Sequence, residues 1–276
     1  MIRFHGVGLT YPGAAESALS GVDLGVRPGE SVAVVGHSGS GKTSLVRLMN
    51  ALLLPTSGRV TVDDLDTGDP ENLWEIRRRV GLIFQNPDNQ LVSTTVEREI
   101  AFGMENIGLP RGEIGLRMAE VAARLRLEPL LGRPPHRLSG GEKQRVAIAA
   151  VLAMQPAYLA LDEPTSLLDA EGRREVWDIL RDLSERGGHA VIHVTQFADE
   201  IELASRVIVV HAGRIVFDGT PADLFRSREA LAKWGLARPR AAEIADTLRG
   251  AGFSIPEDAR TVERIADALA GARGAP

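Results

Sequence analysis

The chain has 276 residues, of which 44% are hydrophobic and 25% charged, with a net charge of -5 and no cysteine. That composition belongs to a soluble globular protein of one large domain, or one and a half. It excludes disulfides and thiolate metal sites, supplies no basic tract for the phosphate backbone of nucleic acid, and holds no apolar run near the ~18 residues that span a bilayer. The opening "MIRFHGVGLTY" has no apolar signal core. The expected location is therefore cytoplasmic, with any membrane reached through a partner.

Taken in chain order, the first thirty residues alternate apolar and polar and contain "YPG", a strand-and-turn pattern. "SVAVVG" (31–36) is a β-branched run suited to a strand buried on both faces. Glycines follow, then the helical pattern "TSLVRLMNALL". "SGRVTVDD" returns to strands, residues 72–79 form a short charged helix, and "VGLI" is another strand. From 94 to 155 the pattern is helical. Thr94 with Glu97 predicts a capping box that opens "VEREIAFGMENI", and a second helix is expected over 112–127.

Three apolar runs come next, "AYLALD" (157–162), "AVIHVT" (190–195) and "RVIVVH" (206–211), with a helical stretch between the first two. Strands alternating with helices argue an α/β parallel sheet carrying a helical insert. After Pro221 the chain turns rich in Ala and Arg. Ala241, Ile244 and Leu248 are expected on one helical face, Val262, Ile265 and Leu269 on another, and Gly250 and Gly252 end the middle helix.

The stretch "GHSGSGKT" (36–43) matches G-x-x-x-x-G-K-[ST] between a strand and a helix. Gly36, His37, Ser38, Gly39, Ser40 and Gly41 can turn backbone N–H groups around an anion, at a helix start that runs on into Ser44. Lys42 is placed to reach the β- and γ-phosphates and Thr43 to hold Mg²⁺. In "YLALDE", Asp162 ends a buried strand and can bind Mg²⁺ through water, while Glu163 can polarise an attacking water. Carboxylates at strand ends often only cap helices, so this pair gains its force from the phosphate loop. "LSGGEKQR" (138–145) is more discriminating. Ser139 and Glu142 make a capping box, which is a complete structural reason for both. It gives none for Gly140 and Gly141, which weaken a first helical turn. They make a second anion site in a chain that already has one, as though for another subunit's nucleotide.

Phosphate loop, "LSGGEKQR" and "LDEPTSLLD", in this order and spacing, resemble the nucleotide-binding subunit of an ATP-binding cassette (ABC) transporter over residues 1–220. The resemblance implies a P-loop NTPase core of mixed sheet, an antiparallel β subdomain and a helical subdomain over about 86–155. It also implies a head-to-tail dimer that sandwiches two ATPs. Ser139, Gly140, Gly141 and Glu142 would then touch the partner's ATP, Asp169 would sit across the interface, and Tyr11 would stack on adenine. Gln85 matches the glutamine that serves the Mg²⁺ shell at the joint between core and helical subdomain.

The fuller "FQNPDNQ" (84–90) is similar to the ATPases of energy-coupling factor (ECF) transporters, importers of vitamins and transition-metal ions. Residues 221–276 resemble their C-terminal extension, which helps hold two ATPases together. The implied partners are a second ABC ATPase subunit, a membrane scaffold subunit and a substrate-binding membrane subunit, at the cytoplasmic face of the cell membrane, with no nucleic acid. Asn89 and Gln90 are expected on the scaffold-docking surface. One departure stands out: the family's switch histidine falls on Gln196, which can donate to a phosphate oxygen but takes up no proton. Glu163, Gln196 and Lys42 are thus the expected catalytic residues. Two alternatives differ in class: the ATPase of another importer or exporter, and a soluble cassette protein of translation or DNA maintenance.

Overall fold

The computed structural model describes residues 1–272 apart from 187, 203, 257–258 and 260–261. Two sheets and a helical layer share its interior. β1 (Ile2–Leu9) pairs antiparallel with both β2 (Leu19–Val26) and β4 (Ser57–Val62), and β5 (Leu65–Asp66) pairs with β4, giving the order β2-β1-β4-β5. The central sheet contains β3 (Ser31–Val35), β6 (Val80–Ile83), β7 (Tyr158–Asp162), β8 (Ala190–Val194), β9 (Arg206–His211) and β10 (Arg214–Gly219). Its order is β10-β9-β3-β8-β7-β6, parallel except for the β9–β10 hairpin. This is the mixed sheet expected of an α/β P-loop core, with an antiparallel subdomain beside it.

The apolar runs are continuous because both faces of the central sheet are covered. Val32 and Val34 belong to the core shared with the antiparallel sheet and with α1 (Lys42–Met49), whereas Ala33 and Val35 face a different core. Leu159 and Leu161 face the helical layer, Tyr158 and Ala160 the opposite side. α2 (Leu73–Arg79) leads into β6. The helical layer is built from α3 (Val96–Asn106), α4 (Arg111–Arg124), α5 (Gly140–Leu152) and α6 (Ala170–Arg186). In α5, residues 146–149, 151 and 152 are buried, so the helix is apolar nearly all round and lies inside the molecule.

Some local expectations change. Thr95, not Thr94, caps α3, accepting from Arg98 N at 3.3 Å, and the Glu97 amide goes to the Leu131 carbonyl at 2.9 Å. No Thr94–Glu97 box forms, because the buried Glu99 carboxylate draws in the Val92 and Ser93 amides (2.9 and 2.6 Å) and moves the cap one residue later, while the helix starts at Val96 as expected. α7 (Ala198–Ile201) is followed, after the hairpin, by α8 (Pro221–Arg226) and α9 (Arg228–Lys233). Leu224, Phe225 and Leu231 pack with Ala33, Val35, Val207 and Val209 of the central sheet. α10 (Arg240–Gly250) and α11 (Val262–Ala272) form their own small core around Ala241, Ala245, Ile255 and Ile265. Small alanines line the packed face there, so Ile244 and Val262 lie outward, 51% and 65% exposed.

His193 of β8 is buried at 1% exposure, its ring edge-on to Trp177 with centroids 4.8 Å apart. Burial pushes its imidazole down to about 4. The folded form then refuses a proton that the unfolded chain accepts near 6.5, so stability falls as pH drops from about 6.5 towards 4. Between pH 7 and pH 5 this group alone should cost about 2 kcal/mol. His193→Leu should flatten that part of the profile, measured as urea midpoints at the two pH values.

Candidate functional site

The candidate residues leave the central sheet at one edge, the carboxyl ends of its parallel strands, where α/β sheets place ligands. The ladder pairs Ile83 with Leu161, Asp162 with Val194, and Val34 with Val194. The segments after β6, β7, β8 and β3 therefore emerge side by side, carrying Gln85, Glu163, Gln196 and the loop 36–41.

The phosphate loop turns at glycines that allow close approach. At Gly36 an added Cβ would lie 2.1 Å from the Val210 carbonyl oxygen. At Gly41, the N-cap of α1 with φ 109°, it would lie 2.5 Å from that of Ala18. The turn buries Ser40, whose hydroxyl has no protein partner, and no acidic residue occupies the first turn of α1. Lys42 is 5% exposed, and its ammonium donates to the Gly36 and His37 carbonyls, both at 2.9 Å. One of its three N–H donors remains for an anion at the mouth. Burial lowers the Lys42 pKa, while the charges of Glu163 and Asp162 oppose that shift. The His37 ring turns away, its Nδ1 on Ser38 O at 2.6 Å and its edge on His211 with centroids 5.2 Å apart. The Tyr11 hydroxyl is 2.9 Å from Ser44 Oγ, which fixes this 38%-exposed ring beside the start of α1.

Thr43 donates to Asp162 Oδ1 at 2.8 Å, and Arg47 stands 3.7 Å from the other carboxylate oxygen, which is how Asp162 is tolerated at 3% exposure. The Gln85 amide donates to Glu163 Oε2 (3.3 Å) and Ser166 Oγ (3.2 Å), leaving its carbonyl oxygen as an acceptor. A hydroxyl, a buried carboxylate and an amide oxygen are hard donors of the kind Mg²⁺ uses alongside water and phosphate, so the residues present fit that ion. Glu163 makes the turn after β7 at φ 47°, a left-handed conformation that a non-glycine residue holds only under constraint. Gln196 is exposed. It does not cap α7: Phe197 occupies the N-cap without a side-chain bond, and the Thr195 hydroxyl accepts from Phe197 N at 3.0 Å.

A second open concavity contains Ser139, Gly140, Gly141, Asp169 and Gly172 and includes nothing from the phosphate loop. The capping box is complete, with Glu142 N on Ser139 Oγ at 3.3 Å and Ser139 N on Glu142 Oε2 at 2.7 Å. That Ser139 amide holds the Glu142 carboxyl below its usual range. Asp169 caps α6 through Gly172 N at 2.8 Å. A Cβ on Gly140 or Gly141 would meet its nearest neighbour at 3.8 or 3.7 Å, ordinary contact. Among the described residues no atom demands the two glycines, so their bareness is free to serve something that approaches from outside.

The ABC transporter family model matches residues 19–166, more than half of the chain. The chain belongs to the ABC transporter family. It is an ATPase, whose ATP hydrolysis drives transport, and it is of the ECF type. The Energy-coupling factor transporter ATP-binding protein EcfA1 of Symbiobacterium thermophilum is 49% identical over 252 residues, covering 91% of this chain and 88% of the relative. The protein of that name from Caldanaerobacter subterraneus subsp. tengcongensis is 44% identical, covering 97% and 98%. Among solved structures, cbiO1 from Clostridium perfringens, described as part of the ABC transporter complex cbiONQ, superposes with TM-score 0.76 at 34% identity, covering 89% of this chain and 98% of that one. The ATP-binding cassette MJ0796, in a dimeric post-hydrolysis state bound to ADP and Pi, gives TM-score 0.72 at 31% identity, covering 80% and 99%.

The geometry departs from the sequence reading in "FQNPDNQ". Gln90 is a brace. Its Oε1 accepts from Phe84 N at 3.1 Å and its Nε2 donates to the Ala147 carbonyl at 3.4 Å, tying the end of β6 to α5. Asp88 adds an ion pair to Lys143 at 2.7 Å, whereas the exposed Asn89 side chain has no such tie among the described residues. The ties to α5 lie 57 and 55 residues away in the chain, beyond any local pattern. Gln90→Ala strands a part-buried amide and should cost about 1–3 kcal/mol. Asn89→Ala should leave stability within about 0.5 kcal/mol of wild type. Denaturant titration of the two variants separates brace from surface.

Proposed function

We propose that this chain is the ATP-hydrolysing subunit of an ECF-type importer of a vitamin or transition-metal ion. It works as one of two cassettes beneath a membrane scaffold subunit and a substrate-binding membrane subunit. The observation that carries the reading is the pair of incomplete half-sites on one chain: a phosphate loop that converges with Asp162, Glu163 and Gln85, and a separate capped helix start whose glycines the fold does not need. Head-to-tail pairing of two cassettes completes both. The dimeric structure of MJ0796 supports that arrangement. Among the described residues no helix is long and apolar enough to cross a membrane, which suits a subunit acting at the cytoplasmic face through partners.

Each residue then has a role in the reaction. The loop 36–41, Lys42 and Ser44 take the nucleotide's phosphates, and Tyr11 is positioned to swing from Ser44 onto the adenine. Thr43, Gln85 and Asp162 would hold Mg²⁺, which would supply charge neutralisation at the phosphates. Glu163 orients and polarises the attacking water, and Gln196 donates to the γ-phosphate. Ser139, Gly140, Gly141 and Glu142 reach the partner's nucleotide while Asp169 faces it across the interface. The core spans residues 1–220, and the extension 221–276 contributes dimer contact. Its outward Ile244, Phe253 and Val262, each about half exposed or more, support that role.

Glu163→Gln should retain ATP binding, slow hydrolysis by at least about a hundredfold, and trap an ATP-bound dimer on sizing. Normal turnover in that variant would remove Glu163 from the mechanism. Gln196→Ala should slow single-turnover hydrolysis roughly ten- to a hundredfold, the worth of one charge-assisted hydrogen bond made in the transition state, with ATP affinity near normal. Gln196→His should stay active and add a pH dependence near 6.5 that the wild type lacks.

A further inference from the structure

Glu200 was not singled out by any motif, yet its carboxylate is enclosed beside the catalytic turns. It sits on α7, a helix of four residues, at 3% exposure. Its two oxygens are divided between two elements. Oε1 accepts from Thr165 Oγ1 at 2.7 Å, and Oε2 accepts from Thr195 Oγ1. Both threonines are buried, at 1% and 2% exposure. Thr165 lies two residues beyond Glu163, and Thr195 immediately precedes Gln196. The Thr195 oxygen also accepts from Phe197 N at 3.0 Å, which closes the turn around Gln196. A continuous path therefore runs from Glu163 through Thr165, Glu200 and Thr195 to Gln196.

The burial of this carboxylate is hard to explain as packing. An ionisable group in an apolar wall is costly, and an aliphatic residue would serve a short helix better. Burial pushes the Glu200 carboxyl up, and the Thr195 and Thr165 hydroxyls, the Trp177 indole and the Arg173 charge pull it back. Arg173 lies with its guanidinium 3.9 Å from the centre of the Phe197 ring, so α6 closes the cluster from the other side. What the arrangement provides is a tie between two turns that need one. The β7–β8 ladder ends at Asp162 and Val194, just before both. Glu163 is held in a left-handed conformation, and Gln196 projects from an exposed turn.

We propose that Glu200 is a positioning residue, which grips one hydroxyl on each side and so sets the Gln196 turn at a fixed distance from the Glu163 turn. The γ-phosphate donor and the water-polarising carboxylate are thereby brought to bear on the same phosphate. The inference rests on the roles given above to Glu163 and Gln196.

The test uses the full chain assembled with its partner cassette and membrane subunits, and the variants Glu200→Gln, Thr165→Val and Gln196→Ala, alone and combined. ATP affinity should stay within about twofold of wild type, whereas single-turnover hydrolysis should fall roughly tenfold in Glu200→Gln and in Thr165→Val, the worth of one hydrogen bond lost from the aligned state. Because the tie acts through Gln196, adding Thr165→Val to Gln196→Ala should slow the reaction no further; a purely structural defect would multiply. Thr165→Val keeps the side chain's shape and the Glu200–Thr195 bond, so it decides the matter should Glu200→Gln fail to fold. Wild-type hydrolysis in Thr165→Val, or multiplying effects in the double variant, overturns the proposal while a slow Gln196→Ala leaves the site reading standing. Wild-type rates in Gln196→Ala and Glu163→Gln would overturn both.

Discussion

The hydrogen bond from Thr43 to Asp162 joins residues 119 apart in the chain, and most of the architecture serves to make it possible. It needs α1 to start where the phosphate loop ends and β7 to end beside it, which requires a parallel sheet with β8 between β7 and β3. A carboxylate at 3% exposure is tolerable only while its partners are in place. The hydroxyl of Thr43 and the guanidinium of Arg47 are those partners. The same pairing leaves hard oxygen donors clustered at the mouth of the loop, which is what a Mg²⁺-nucleotide requires.

Polar groups at the sheet edge are mostly held by one another. Lys42 is retained by its own loop's carbonyls, Gln85 bridges Glu163 and Ser166, and Glu200 divides itself between Thr165 and Thr195. Such preorganisation suits a site that must stabilise developing charge without rearranging. Gln196 is the exception, since its exposed amide is not spent on capping α7. The signature helix start differs again. Its caps are complete inside the chain, and a Cβ on either glycine would meet only ordinary contacts.

Legibility varied with the distance over which each feature is specified. The phosphate loop, the Asp162–Glu163 pair and the Ser139–Glu142 cap are local patterns whose physics operates within a few residues, and all were readable. So was the doubly covered sheet, from its unbroken apolar strands. The helix over Val96–Asn106 begins where the sequence placed it, but its cap was misplaced by one residue, because the buried Glu99 pulls in a loop that local propensity knows nothing of. The brace role of half-buried Gln90 was not legible, because amides look alike in sequence whether they face water or tie a strand end to α5. In the tail, helical period was right, but the packed face followed Ala245 instead of Ile244, since alanine permits the closer approach of α10 and α11.

By itself, then, the sequence determined the α/β class, the order of the elements, the phosphate-binding chemistry and the residue types available at each turn, because backbone geometry, capping and hydrophobic period are short-range properties. Tertiary structure alone decided which of those turns meet. The grip of Glu200 on Thr165 and Thr195, the ties of Asp88 and Gln90 to α5, and the packing of α8 and α9 onto the central sheet all join segments that are adjacent only after the sheet has ordered its strands. Strand order is fixed by the burial of whole faces against one another, a free energy summed over many residues that no short stretch of sequence carries.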